Sequence, residues 1–137
     1  MMTRRELYKP LILCVDDDEG ILDLTRMALE CKGYRVLTAT NGAAALEAFA
    51  ACPIDAVILD YEMPGMNGAE VARAMVRIKP HVPKLLFCGS SCISHGETRV
   101  FQGYCSKPLG LFAITSQIGT MTSWREAREA EGIFAPA

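Results

Sequence analysis

Leu11-Ile12-Leu13-Cys14-Val15-Asp16-Asp17-Asp18-Glu19-Gly20 is the stretch that decides the fold. Five apolar residues without alternation fit a short strand covered on both faces. Four carboxylates and a glycine then end it abruptly. Beyond them Ile21, Leu24, Thr25 and Ala28 recur at helical spacing to about Lys32, and Gly33 supplies a C-terminal stop. A buried strand, an acidic turn and an amphipathic helix make one β-α unit.

The same unit recurs along the chain. Tyr34-Arg35-Val36-Leu37-Thr38 reads as the second strand, and Asn41 as the N-cap of a helix carrying Ala45, Leu46 and Phe49 to about Cys52-Pro53. Ala56-Val57-Ile58-Leu59 is again wholly apolar, with Asp60 at its carboxyl end. The run Tyr61-Glu62-Met63-Pro64-Gly65-Met66-Asn67-Gly68 is turn-rich, and Met63-Pro64-Gly65 reads as a turn device. A helix with Val71, Ala72, Met75 and Val76 on one stripe follows and stops before Pro80 and Pro83. Leu85-Leu86-Phe87 is the fourth strand, and Gly89-Ser90-Ser91 a loop. Only a short helix fits between His95 and Gln102. Gly103-Tyr104-Cys105-Ser106 is the fifth strand, and Leu111, Ile114, Ile118 and Met121 mark a last helix that extends toward Trp124 and Glu129. Five such units imply a parallel sheet with helices on both faces. In such sheets ligands bind beyond the carboxyl ends of the strands. Asp16, Asp17, Asp60, Cys88, Gly89 and Lys107 all fall there.

Composition agrees with one compact domain. The chain has 137 residues, half of them apolar and 22% charged, enough for a core and too apolar for disorder. The net charge of −2 and the lack of a basic cluster beyond Arg4-Arg5 argue against nucleic acid as a partner. The start lacks a signal-peptide pattern. No segment approaches the roughly 20 apolar residues of a membrane span. The expectation is a cytoplasmic protein. Six cysteines, at 14, 31, 52, 88, 92 and 105, contain no Cys-x-x-Cys pair. They read as small buried hydrophobes, and their spacing and the scarcity of His argue against zinc.

The acidic edge has its own chemistry. Carboxylates gathered together repel unless a cation joins them. A hard ion such as Mg²⁺ prefers oxygen ligands and keeps several waters, so Asp16, Asp17 and Asp60 form a candidate Mg²⁺ site. Lys107 would place a positive charge on the far side. A carboxylate in that setting can attack phosphorus and form an acyl phosphate. Asp18 reads instead as an exposed loop residue or N-cap.

Val15-Asp16-Asp17-Asp18, Leu59-Asp60-Tyr61-Glu62-Met63-Pro64-Gly65-Met66-Asn67-Gly68 and Lys107-Pro108, in this order and spacing, resemble the three signature segments of two-component response regulator receiver domains, in a single-domain, chemotaxis-regulator-like form. The likeness spans residues 10–122, leaving an N-terminal extension (1–9) and a C-terminal helical extension or tail (123–137). It implies a flavodoxin-like, doubly wound five-stranded α/β fold with strand order 2-1-3-4-5. It further implies Asp60 as phosphoacceptor, Asp17 as direct Mg²⁺ ligand, Asp16 acting largely through water, and Glu62 offering its backbone carbonyl to the metal. Lys107 matches the lysine that contacts the phosphoryl oxygens, Tyr104 the aromatic switch residue, and Pro108 follows a cis-like Lys-Pro bond.

The pattern departs from the family at Cys88, where Thr or Ser is usual; a thiol is a weaker donor. Gly89 and Ser90 beside it are expected at the phosphoryl group, Ser90 as a substitute hydroxyl if the loop shifts. The stretch from Cys88 to Lys107 is short for the family, which leaves the fourth helix and the ordinary output face in question. The implied partners are a sensor histidine kinase or phosphotransfer protein and an unidentified downstream protein, with no membrane and with a homodimer left open. Three alternatives compete: a receiver-like binding module with weakened or absent switching, a phosphatase with an Asp nucleophile on the first strand, and a thiol sensor built on Cys88 and Cys92.

Overall fold

The computed structural model describes residues 8–88, 100–106 and 110–130, the last helix with side chains over 113–123. Five strands, β1 (Leu11–Val15), β2 (Arg35–Ala39), β3 (Ala56–Asp60), β4 (Lys84–Cys88) and β5 (Gly103–Ser106), form one sheet in the order β2-β1-β3-β4-β5. Every neighbouring pair is parallel. Four helices are present among the described residues: α1 (Glu19–Cys31), α2 (Gly42–Ala51), α3 (Gly68–Ile78) and α4 (Gly110–Ala130). The chain is a flavodoxin-like α/β protein.

Alternation along each strand explains why the strands are apolar throughout. Leu11, Leu13, Val15, Val57 and Leu59 point to one face, where they meet Ala45 and Phe49 of α2 and Val71, Ala72 and Met75 of α3. Ile12, Cys14, Ala56, Ile58, Leu85, Phe87 and Cys105 point to the other, against Leu22 and Leu29 of α1 and Ile114 and Ile118 of α4. Successive side chains of a strand face opposite ways, so a two-sided sheet cannot carry a polar stripe. β1, β3 and β4 are buried along their whole length, whereas edge strand β2 is mostly half-buried.

The helix starts are written in the sequence. Asp18 caps α1, accepting from Gly20 N at 2.9 Å and Ile21 N at 3.3 Å. Asn41 caps α2 by accepting from Ala44 N at 2.8 Å. Asn67 and Glu70 form a reciprocal capping box on α3. Each cap satisfies backbone donors that no helical carbonyl can reach.

Several expectations need correction. Of the expected stripe Ile21, Leu24, Thr25 and Ala28, only Thr25 is buried, and its buried companions are Leu22 and Leu29; Ile21 packs at the margin of the core and Leu24 is 55% exposed. The sequence offers two apolar registers on this helix, and docking on the sheet selects one. Val76, placed on the apolar stripe of α3, is also exposed. The second strand begins and ends one residue later than the sequence suggests. The fourth strand is longer by a residue at each end, because Lys84 and Cys88 share its ladder. The cysteines are not uniformly buried hydrophobes: Cys31 is exposed and Cys52 half-buried, while Cys88 is disulfide-bonded. The short helix expected between His95 and Gln102 lies almost wholly outside the described residues, as do 1–7 of the N-terminal extension, the Lys107-Pro108 bond and the end of the tail. The backbone of α4 does run on through Trp124 and Glu129.

Candidate functional site: an acidic pocket at the switch point of the sheet

The chain leaves β1 for β2 on one side and later crosses back to β3 on the other. Order therefore reverses between β1 and β3, and their carboxyl ends diverge into loops that leave a crevice. Val15 lies opposite Leu59 in the register. The next residue of each strand is an aspartate, so Asp16 and Asp60 meet at the rim side by side.

Local hydrogen bonds hold these residues in place. Asp16 N donates to Ala39 O at 3.2 Å, carrying the β1–β2 ladder one residue past the strand. Asp16 Oδ1 accepts from Asp18 N at 2.9 Å, which closes the acidic turn. Asp18 is committed to capping α1, so the two remaining carboxylates of the triplet face the crevice. One oxygen from each of Asp16, Asp17 and Asp60 lies within 4.8 Å of the others. Asp16 and Asp60 are 3% and 5% exposed, while Asp17 is open to solvent.

Asp60 owes its position to a glycine that sequence reasoning passed over. Gly68 N donates to Tyr61 O at 2.8 Å, folding the turn back on itself. A Cβ at Gly68 would collide with the Asp60 carbonyl oxygen and would stand 3.0 Å from Tyr61 Cα. Only a residue without a side chain lets α3 begin against the phosphoacceptor candidate's own backbone. Gly65, with φ of 86°, makes the left-handed step within the same turn. The signal for this arrangement was the spacing Asn67-Gly68-Ala69-Glu70, a capping box placed directly after a turn.

The donor set fits a hard divalent cation. All three groups offer carboxylate oxygen, and their spread is close to the roughly 4.2 Å between opposite ligands on Mg²⁺. The exposed side at Asp17 leaves room for water, which Mg²⁺ surrenders reluctantly. Glu62, two residues after Asp60, is exposed beside the turn.

The other expected site residues divide. Cys88 ends β4 with no exposed surface. Phe87 lies opposite Asp60, so Cys88 stands one residue beyond Asp60 on the neighbouring strand. Cys88 in turn faces Ser106 of β5, and Lys107 follows Ser106 in the chain. Lys107, Gly89 and Ser90 themselves lie outside the described residues. Tyr104 is largely exposed. Its hydroxyl accepts from Ser106 Oγ at 3.2 Å, and its carbonyl accepts from Gln117 Nε2 at 2.9 Å.

A parallel doubly wound sheet with an acidic pocket at its switch point places the chain among the open-sheet α/β proteins, whose sites lie beyond the carboxyl ends of the strands. Residues 12–118 match the response regulator receiver domain, and the chain belongs to that family, a module of two-component signalling rather than a conventional enzyme. It is 31% identical over 127 residues to the autoinducer 1 sensor kinase/phosphatase LuxN of Vibrio campbellii, covering 88% of this chain and 14% of that protein. It is 30% identical over 133 residues to the transcriptional regulatory protein GlrR of Escherichia coli, covering 88% of this chain and 30% of GlrR. The chain thus spans less than a third of these relatives. Among solved structures, it superposes on a CheY-like receiver domain protein from Methanospirillum hungatei with a TM-score of 0.81 and 25% identity, covering 88% and 99% of the two chains. It also matches the response regulator TrrA of Thermotoga maritima, solved in complex with Mg²⁺-BeF, with a TM-score of 0.77 and 32% identity over 82% and 98%. The cluster of Asp16, Asp17 and Asp60 is consistent with a receiver Mg²⁺ site.

Proposed function

We propose that this chain is a phosphorylation-dependent signalling receiver, with Asp60 accepting a phosphoryl group from a histidine kinase or a phosphotransfer protein. The observation that carries the reading is the convergence of three carboxylates within 4.8 Å at the switch point. Mg²⁺, when bound, supplies the positive charge that offsets these groups and draws phosphoryl oxygens toward them. A carboxylate oxygen of Asp60 forms a bond to phosphorus while the bond from phosphorus to the donor's imidazole nitrogen breaks. The electron pair leaves with that nitrogen, which takes up a proton, and the product is an acyl phosphate. Asp16 and Asp17 hold the cation, with the Glu62 carbonyl as a further ligand. Lys107 pairs with the phosphoryl oxygens. Catalysis here is positioning and charge neutralisation, and it needs no further group.

Cys88, Gly89 and Ser90 are the candidate donors to the phosphoryl group, and Tyr104 is the candidate residue that reports the change to a downstream protein. The receiver unit is residues 10–122, acting in the cytoplasm. Among the described residues no helix is long and apolar enough to cross a membrane. A second reading, a receiver-like binding module with weakened switching, draws support from Cys88, since a thiol donates poorly and this one is bonded.

The test is incubation with Mg²⁺ and a small phosphodonor such as acetyl phosphate, followed by intact mass. The expected result is the gain of one phosphoryl group, lost on addition of a chelator and absent in Asp60→Asn. No gain, or a gain that survives in Asp60→Asn, overturns the assignment.

A further inference from the structure

Gly42 opens α2 directly after its cap Asn41 and is buried. Its backbone does not require a glycine, because its φ lies outside the left-handed region that Gly33 and Gly65 occupy. Glycine is also a poor helix former. Neither conformation nor propensity accounts for it, and packing does. A Cβ at Gly42 would stand 2.9 Å from Val71 Cγ2, 3.1 Å from Met66 Cβ and 3.2 Å from Met66 Sδ. Val71 belongs to the first turn of α3, and Met66 immediately precedes its cap Asn67. The start of α2 thus lies flush against the start of α3.

The other side of that turn is equally tight. At Gly68 a Cβ would collide with the Asp60 carbonyl oxygen, and Gly68 N donates to Tyr61 O at 2.8 Å. The first turn of α3 is therefore held between α2 and the backbone of Asp60, with a bare glycine at each contact. Resting on the function proposed above, we infer that Gly42 is a positioning residue for the phosphoacceptor. Through Met66 and Val71, the first turn of α2 sets where the first turn of α3 presses on Asp60.

The contact cannot yield through a rotamer. Val71 has no exposed surface and is β-branched, so it is stiff at χ1. Met66 Cβ is fixed to its own backbone, and only Sδ can swing aside. A methyl group at position 42 must instead move the start of α3 by about a few tenths of an ångström. Close-packed interiors transmit such a shift instead of absorbing it. It arrives at Asp60 and Tyr61, next to the Glu62 carbonyl that would face the cation. Mg²⁺ demands near-ideal octahedral geometry, so a small displacement of its ligands is felt in affinity.

The experiment uses the full chain. Calorimetric titration with MgCl2 gives the Kd, and acetyl phosphate labelling at saturating Mg²⁺, followed by intact mass, gives the rate. Gly42→Ala should raise the Kd and lower the rate, each on the order of threefold to tenfold. This is a fraction of the roughly hundredfold cost of a 1 Å misplacement. Val71→Ala removes the nearest atom, so adding Gly42→Ala to Val71→Ala should cost at most about twofold, the non-additivity expected of residues in contact. Ala43→Gly weakens the same helical turn on its exposed side and should leave the Kd unchanged.

A Gly42→Ala protein whose Kd and rate both match the unaltered chain overturns the inference, and the phosphoacceptor assignment stands. So does an equal penalty for Gly42→Ala in both backgrounds, or a Kd raised as much by Ala43→Gly. If Gly42→Ala alone does not fold, the comparison made within Val71→Ala decides: a penalty there above about twofold overturns the inference, and a smaller one upholds it. An unaltered chain that binds Mg²⁺ but takes no phosphoryl group defeats the phosphoacceptor assignment, while the Kd comparison still decides whether Gly42 positions Asp60. An unaltered chain that binds no Mg²⁺ defeats both.

Discussion

Replacing Asp60 with asparagine removes one charge from the acidic pocket and keeps the side chain's shape. Asp16 and Asp60 are both buried, and their nearest oxygens lie within 4.8 Å. Two like charges at that distance repel by about 3 kcal/mol at an effective dielectric constant of about 20. Asp17 stands in solvent, where screening reduces its share. In a chelator, Asp60→Asn should therefore be more stable than the unaltered protein by about 1–3 kcal/mol. For a domain of this size that shifts the melting temperature upward by about 3–10 °C. Mg²⁺ should reverse the order of benefit. The unaltered protein gains about 1.4 kcal/mol when free Mg²⁺ reaches tenfold its Kd, and the variant, with one ligand lost, gains much less. Calorimetry with and without Mg²⁺ measures both effects. A variant that melts at or below the temperature of the unaltered protein in chelator, and that responds equally to Mg²⁺, would refute the idea that charge repulsion dominates this pocket.

Two further substitutions probe the scaffold. Gly68→Ala should destabilise by about 1–3 kcal/mol and weaken Mg²⁺ binding, because its Cβ drives into the Asp60 carbonyl; urea unfolding and a Mg²⁺ titration check this, and an unchanged pair of values would contradict it. Lys84 is 1% exposed with Nζ donating to Val82 O at 2.7 Å, and burial lowers its pKa from 10.5 to about 8. The unfolded chain holds that proton more tightly, so the penalty is fully present below pH 8 and is relieved as pH rises toward 10.5. Lys84→Met should accordingly be more stable by about 1–3 kcal/mol at pH 7, with the gap closing through that window; a gap that does not vary with pH would show that the amine is not the cause.

Much of the architecture was legible in the sequence because it follows from local rules. Three strands are apolar on both faces, Asp18 and Asn41 are readable as caps of the first two helices, and Asp16, Asp17 and Asp60 stand at strand ends. Periodicity fixes which element forms, and its position in a β-α series fixes which rim a strand-end residue joins. The apolar stripe of α1 was not legible. Leu24 and Ala28 compete with Leu22 and Leu29 for the places beside Thr25 on the buried face, and the rotation is chosen by packing against the sheet and α4.

The sequence alone determined a parallel two-sided sheet and an acidic rim, since both depend only on the order of apolar runs and on which residue ends each run. Tertiary structure decided how near the carboxylates come to one another, that Gly68 seats α3 against the Asp60 backbone, that Lys84 is buried, and that Cys88 is bonded rather than free. Those properties arise between segments distant in the chain or from the fit of one surface on another, and no local pattern encodes a separation in space.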